Sequence, residues 1–221
     1  MGKILKAVTL LAVVVLMVCG GSSTGGGEVS APSITTFTDD RDGKSYKKIT
    51  IGTQTWMGEN LNYAADGSRC YNDINTNRSD DDCEKYGRYY DWETARTACP
   101  SGWHFPTDDE WTVLVNYAGG EKKAGKKLKS TSGWNDNSTD DYGFSALPGG
   151  SCTNLNNPFV DFTFSCGNEN KYGMWWSATE SESGFPWYRR MDAGMQGMNL
   201  EYVSRWGGAK NDLYSVRCVQ D

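Results

Sequence analysis

Six cysteines lie behind what reads as an export leader, and no other feature constrains the chain as strongly. Lys3 and Lys6 form a short basic region, followed by the unbroken apolar run Ala7 to Val18. Twelve such residues suit a signal-peptide core and fall short of the roughly 20 needed to span a bilayer. Beyond them stand Cys70, Cys83, Cys99, Cys152, Cys166 and Cys218. An exported chain with an even cysteine count reads as disulfide-bonded. No Cys-x-x-Cys occurs, which argues against both a zinc ribbon and a thioredoxin-like redox site. A single histidine argues against the usual Cys/His zinc site.

The seventh cysteine, Cys19, directly follows the apolar core and precedes "GSSTGGGE". A cysteine there, ahead of a Gly/Ser tether, resembles a bacterial lipoprotein signal. Leu16 fits its first position, whereas Met17 and Val18 are larger than the residues usual before the cysteine. The expected organisation is a signal peptide over 1–18, a tether over 19–34 with lipid on Cys19, and a folded domain over 35–221. The partner this implies is the membrane, reached through the lipid anchor. The expected location is the cell envelope of a Gram-negative bacterium, at the outer membrane or cell surface. The alternative is an ordinary secreted protein, cut a little further along, in which Cys19 is lost.

Removing residues 1–18 removes two lysines and no acid, which takes the formal net charge from −6 to −8. An acidic chain without a clustered basic face is a poor match for nucleic acid, whose affinity comes mainly from neutralised phosphates. The one lysine-rich run, "EKKAGKKLKS" (Glu121 to Ser130), carries no interleaved aromatics and reads as a solvated face.

Order is expected from Thr35. Asp42-Gly43 and Ile51-Gly52 are turn signals, and Tyr46, Ile49, Ile51, Trp56 and Met57 suit short antiparallel strands between and beyond them. Asp66 to Glu84 is a polar insertion bracketed by Cys70 and Cys83, the kind of loop that needs a covalent staple. Asp91 to Cys99 reads as a short helix with Trp92, Ala95 and Cys99 on one face, ended by Pro100. Thr107 followed by Glu110 is a capping box. The helix it starts presents Trp111, Leu114, Val115 and Ala118, and Gly119-Gly120 stop it. Further strands are expected at Tyr172–Glu180, Trp187–Ala193 and Leu213–Asp221. In the first of these, Trp175 and Trp176 point to opposite faces, so a one-sided sheet would bury only one of them.

His104 stands between Trp103 and Phe105, just ahead of an acidic cluster. The acids already have a structural task at the helix start, and no Gly-x-Ser-x-Gly or His-x-x-x-His completes a site. His104 therefore reads as a packing or hydrogen-bonding residue, and no catalytic residue is assigned.

The ordered motifs "DGKSYKKITIGTQTWMGENLNY", "KYGRYYDWETA", "CPSGWHFPTDDEW", "AGKKLKSTSGW", "DYGFSALPGG", "WWSATE" and "YSVRCV" resemble the Fibrobacter succinogenes major paralogous domain, a family of exported bacterial domains, over roughly Thr35 to Asp221. More distantly, "DWETARTACPSGWHFPTDDEW" is similar to the helix–Cys–helix core of C-type lectin-like domains, and "FPTDDEW" to a segment of formylglycine-generating enzymes. This resemblance implies an α+β, C-type lectin-like fold. It would have two short helices early, antiparallel strands and long irregular loops, stapled by disulfides. It also implies a Cys99–Cys218 bridge, which leaves Cys70–Cys83 and Cys152–Cys166 to pair locally. The paired reactive cysteines of the enzymes, four residues apart, have no counterpart here, so that activity is not carried over.

Nine tryptophans and twelve tyrosines exceed what a small core needs. They suggest a non-catalytic surface module with exposed rings for a polysaccharide or a cell-surface protein. The candidate ligand-binding residues are Phe185, Trp187 and Tyr188 on loops, with Trp134 and Phe159 behind them. For any one of these, packing is the competing explanation. A structural or protein-interaction role in the envelope is the alternative function. Asp73, Asn75, Asn77, Ser79, Asp81 and Glu84 have EF-hand oxygen spacing, but Arg78 stands where that loop wants glycine. No metal and no cofactor is assigned.

Overall fold

The computed structural model describes residues 34–71, 81–154, 164–168, 170–193 and 201–221, all within one compact unit, Ala31–Asp221. Cys19, Phe159 and the Asp73–Ser79 part of the polar insertion lie outside the described residues. In chain order the first elements are β1 (Ile34–Thr38), β2 (Ser45–Ile51), β3 (Gln54–Met57), α1 (Asp81–Tyr86), β4 (Tyr89–Tyr90) and α2 (Trp92–Ala95). Then come β5 (Trp103–His104), α3 (Asp108–Tyr117), α4 (Ala124–Leu128), β6 (Ser151–Asn154) and β7 (Phe164–Gly167). The last five are β8 (Tyr172–Glu180), β9 (Pro186–Asp192), β10 (Val203–Gly207), β11 (Tyr214–Ser215) and β12 (Val219–Gln220).

Local chemistry accounts for the first sheet. In β2, Ile49 and Ile51 face one core by the period of two, and Tyr46, on the opposite face, is buried in the other. It turns into β3 through Gly52-Thr53, and Gly52 has φ +61°, the sign a two-residue hairpin turn demands. The sheet order is β1-β2-β3-β12-β5, so the end of the chain lies inside a sheet begun by its start. The second sheet runs β10-β9-β8-β11-β4, and β6 pairs with β7.

The expected terminal strand Leu213–Asp221 is in fact two strands in two sheets. β11 pairs parallel with β8 at Ser215 and Trp175, an exception to the antiparallel expectation. β12 joins the first sheet at Trp56 and His104. The intervening residues 216–218 tie the sheets together, because Leu61 N–H donates to the Val216 carbonyl and Met57 N–H to that of Cys218. Tyr214, Val216 and Cys218 face one core as the period of two requires.

The helix at Thr107 forms as its sequence dictates. Thr107 Oγ1 accepts from the Glu110 amide, and Glu110 accepts in return from the Thr107 amide. Trp111, Leu114, Val115 and Ala118 are buried. Two short helices early is too few, however, since the described residues carry four. α1 closes the polar insertion. α4 forms in the lysine run, where Ala124, Gly125 and Leu128 are buried. Nor is that run wholly solvated. Lys122, Lys123 and Lys126 are exposed, but Lys129 is fully buried, paired with Asp136 at 2.9 Å and with its Nζ 4.7 Å from the centre of the Trp134 ring.

Trp175 and Trp176 are both fully buried, because the second sheet is covered on both faces. Trp175 joins α3 and the first sheet in one core, with Trp56, Trp111 and Leu114. Trp176 joins α2 in the other, with Trp92, Tyr90 and Tyr214. A Cβ at Gly173 would stand 2.4 Å from the Trp175 ring, so this glycine makes room for the indole. Seven of the nine tryptophans are buried, which corrects the inference that the aromatics exceed what the core uses. Six of these seven indole N–H groups donate to an acceptor, as buried indoles require. Trp92 donates to the Ser177 carbonyl, Trp111 to that of Trp176, and Trp176 to that of Tyr90.

All three bridges join the pairs the resemblance implied: Cys70–Cys83, Cys99–Cys218 and Cys152–Cys166. Cys99 lies past the end of α2 and Cys218 between β11 and β12, so one bridge links the middle of the domain to its last segment.

Candidate functional site

Phe185, Trp187 and Tyr188 lie, with one residue not singled out from sequence, Trp206, along the outer edge of the second sheet. Ser181 to Phe185 is the turn from β8 into β9. It is held by Ser181 N–H donating to the Phe185 carbonyl and by Gly184 at φ +78°. Phe185 leaves this turn 54% exposed. Trp187 and Tyr188 lie within β9 rather than on a loop, and each is half-buried. β10 is the edge strand beside them, pairing Trp206 with Tyr188 and Gly207 with Trp187.

Directly opposed residues share a face, so the edge is aromatic on both faces. On one, Phe185 and Trp187 flank Gly207, with the Arg205 guanidinium 4.6 Å from the Trp187 ring centre. Arg205 is itself fixed by Asp108 at 2.8 Å. On the other, Trp206 is 57% exposed beside Tyr188, whose ring packs on Tyr214 at 4.8 Å and edge-on against Trp176. Burial raises the Tyr188 phenol pKa above its ordinary value, so it stays a neutral hydroxyl. Rings fixed from behind and open in front can stack on a flat apolar face, and the phenol and guanidinium add hydrogen bonds at its margin.

Trp134 does not belong with these residues. It is 1% exposed, donates to the Ala146 carbonyl at 2.7 Å and packs in the core with Phe144. Sequence alone missed this because Trp134 stands among turn residues. Trp206 was missed because "SRWGG" carries no long period. Its signal was a large aromatic beside an arginine and two glycines.

His104 sits on β5 with both ring nitrogens engaged, Nε2 with Glu110 Oε1 and Nδ1 with Asp221 Oδ1, each at 2.7 Å. Burial alone would lower its pKa, but the hydrogen bonds and charges of Glu110 and Asp221 outweigh that, and the net shift is upward. Burial likewise pushes Glu110 up, and the Thr107 amide, His104 and the Thr107 hydroxyl more than reverse it, so its pKa is lowered. The cluster fastens the start of α3 to the last residue of the chain.

Its effect on stability has a defined sign. The His104 contribution is complete below its unfolded value near 6.5 and fades as pH rises through the raised folded value. The Glu110 contribution is present above 4.5 and fades as pH falls through its lowered folded value. Between those two pH values both are present. His104→Gln should cost about 0.5–1 kcal/mol there, the range for partly exposed ion pairs, and less near pH 8. Urea denaturation at pH 5.5 and 8 reads the difference. An equal loss at both would mean that His104 acts by packing alone.

Among the described residues, no group of three or more His, Cys, Asp or Glu is arranged to hold a metal ion. Of the calcium-type spacing, Glu84 is described, and its carboxylate accepts from Asn62 at 3.3 Å.

Against known families, the model of the Fibrobacter succinogenes major domain matches residues 49–220. No curated protein and no solved structure matches the chain.

Proposed function

The chain belongs to the Fibrobacter succinogenes major domain family, and on that premise we propose that it is an exported, lipid-anchored envelope protein acting as a non-catalytic surface binding module for carbohydrate. The observation that carries this reading is the exposure of Phe185 and Trp206 beside Trp187 and Tyr188 on a sheet edge. Single exposed apolar residues are ordinary, but aromatic residues on both faces of one sheet edge, one of them against an arginine, have the composition of binding hot spots. Because Asp108 holds Arg205 and Trp176 and Tyr214 hold Tyr188, these two side chains lose little freedom on binding. A lectin-like fold is part of the proposal. The return of the last segment beside residues 57–61, locked by Cys99–Cys218, supports it. The competing enzyme reading draws no support from the cysteines, since the six described are all bridged.

The test uses the full chain expressed in a Gram-negative host. It should partition with membranes and take up labelled palmitate, and Cys19→Ser should abolish the label. An unlabelled wild type would remove the anchor from the proposal. Detergent-extracted protein should be retained on at least one member of a panel of insoluble polysaccharides. Joint Phe185→Ala and Trp206→Ala should cut retention at least tenfold, with the near-ultraviolet circular dichroism of the buried tryptophans unchanged. If no polysaccharide retains the wild type, the protein-interaction reading replaces this one.

A further inference from the structure

A second feature, sharing no residue with the aromatic edge, is a cleft of about 490 Å³ between β2, the segment after β3, α1 and Arg217. That volume falls in the range of small-ligand sites. Arg217 lines it yet is only 1% exposed. Three of the five N–H groups of a guanidinium are occupied here. Nε and Nη2 donate to Asn60 Oδ1 at 3.2 and 2.8 Å, and Nη1 donates to the Phe144 carbonyl. One N–H on each terminal nitrogen has no acceptor among the described residues.

The acceptors that Arg217 does have are neutral, which sets it apart within this molecule. The other fully buried cations each face a carboxylate: Arg189 has Asp108 at 2.6 Å and Lys129 has Asp136 at 2.9 Å. No carboxylate among the described residues lies within ion-pair distance of Arg217. Glu59 and Asp140 act on it only from further off. Glu59 is engaged by Lys47 at 3.3 Å, and Asp140 by the Ser145 amide and hydroxyl. Burial pulls the Arg217 pKa down to about 10, so it remains charged at neutral pH. The guanidinium also lies 4.3 Å from the centre of the Phe144 ring, a favourable cation–π contact, but no anion among the described residues balances its charge, and a buried charge without a counter-charge is costly. Nor can the floor rearrange to screen it. Asn60 Oδ1 also accepts from Trp175 Nε1 at 2.8 Å, and Asn60 Nδ2 donates to the Tyr86 carbonyl at 2.8 Å.

We propose that this cleft binds a monoanionic, hydroxyl-rich ligand, an acidic sugar, whose carboxylate meets the two unused N–H groups of Arg217. Two donors on one guanidinium match the two oxygens of a carboxylate. Around the rim, Lys44, Lys47 and Lys85 stand against Glu59 and Glu84. Lys44 is paired outside the cleft with Asp42 at 3.2 Å and Lys47 with Glu59 at 3.3 Å, which leaves Lys85 against Glu84, so the rim adds little net charge and the site suits a monoanion rather than a phosphate dianion. Ser45, Ser130 and Asn62 line the cleft as well and provide partners for sugar hydroxyls.

Calorimetry on the full chain at low salt would compare galacturonate, galactose and inorganic phosphate. Galacturonate should bind at least tenfold more tightly than galactose and more tightly than phosphate. Arg217→Lys should erase the preference for the acid. Because Arg217 is buried and its replacement could fail to fold, Ser45→Trp provides the second arm. Ser45 is an exposed β2 residue lining the cleft, and an indole there should lower galacturonate affinity at least tenfold with circular dichroism unchanged. Joint Phe185→Ala and Trp206→Ala should leave that affinity unaltered. Equal affinity for galacturonate and galactose, tighter phosphate binding, or indifference to Ser45→Trp would each overturn the proposal.

Discussion

Joint replacement of Cys99 and Cys218 by alanine is expected to lower stability by about 2–5 kcal/mol. The bridge spans 119 residues, and closing a loop of that length restricts the unfolded chain by about 4–5 kcal/mol in the chain-entropy model. Cys152–Cys166 spans only 14, for which the same model gives about 3 kcal/mol. The location of the long bridge adds to this. Cys218 lies where the chain leaves the second sheet for the first, and its carbonyl accepts from Met57 at 3.0 Å. Loosening that point frees β12, which separates β3 from β5. Urea unfolding of the oxidised proteins should therefore rank the Cys99/Cys218 variant below the Cys152/Cys166 variant by about 2 kcal/mol. A reversed ranking would show that the long bridge fastens a structure already closed without it.

What the sequence made legible is what short-range chemistry decides. The Thr107–Glu110 capping box specifies the start of α3 within four residues, and the structure starts the helix there. The helix read over Asp91 to Cys99 is shorter than its spacing suggests, since α2, capped by Asp91, ends at Ala95 and leaves Cys99 outside it. Burial was harder to read, because it depends on what comes to lie opposite. Trp175 and Trp176 look alike in sequence, and only the presence of α3 on one side and α2 on the other buries both. Lys129 resembles Lys126 and Lys127, yet the chain turns extended at Lys129 and carries its ammonium to Asp136 and the Asp192 carbonyl. The cleft was least legible of all. Its floor joins Asn60 to Arg217, 157 residues apart, and no periodicity records so distant a pairing. The aromatic edge falls between these cases. Phe185, Trp187 and Tyr188 stand together in the chain, whereas Trp206 joins them only through the register of β9 and β10.

The second large effect should come from Asp108→Ala. Asp108 is the first residue of α3 and is 5% exposed. Its two oxygens divide between Arg189 at 2.6 Å and Arg205 at 2.8 Å. Arg189 is buried, and burial pulls its pKa below the ordinary value against the attraction of Asp108. Its Nε has no partner among the described residues, so the guanidinium is already under-satisfied there. Without the carboxylate, Arg189 keeps the Thr112 hydroxyl at 2.8 Å, the residue 108 carbonyl at 3.1 Å and the exposed Glu121 at 3.9 Å. Leaving one charge of a buried pair uncompensated costs about 3–5 kcal/mol, more than the pair itself contributes. That asymmetry supplies the control. Asp108→Ala combined with Arg189→Met removes both charges and should be less destabilised than Asp108→Ala alone, as urea titration can show. If the double variant is the weaker of the two, the pair is a net stabiliser and the cost lies in lost contacts rather than stranded charge. The same substitution reaches the surface as well. Arg205 loses the anchor that holds its guanidinium over Trp187, so ligand retention by the aromatic edge should fall in Asp108→Ala even under conditions where the protein remains folded.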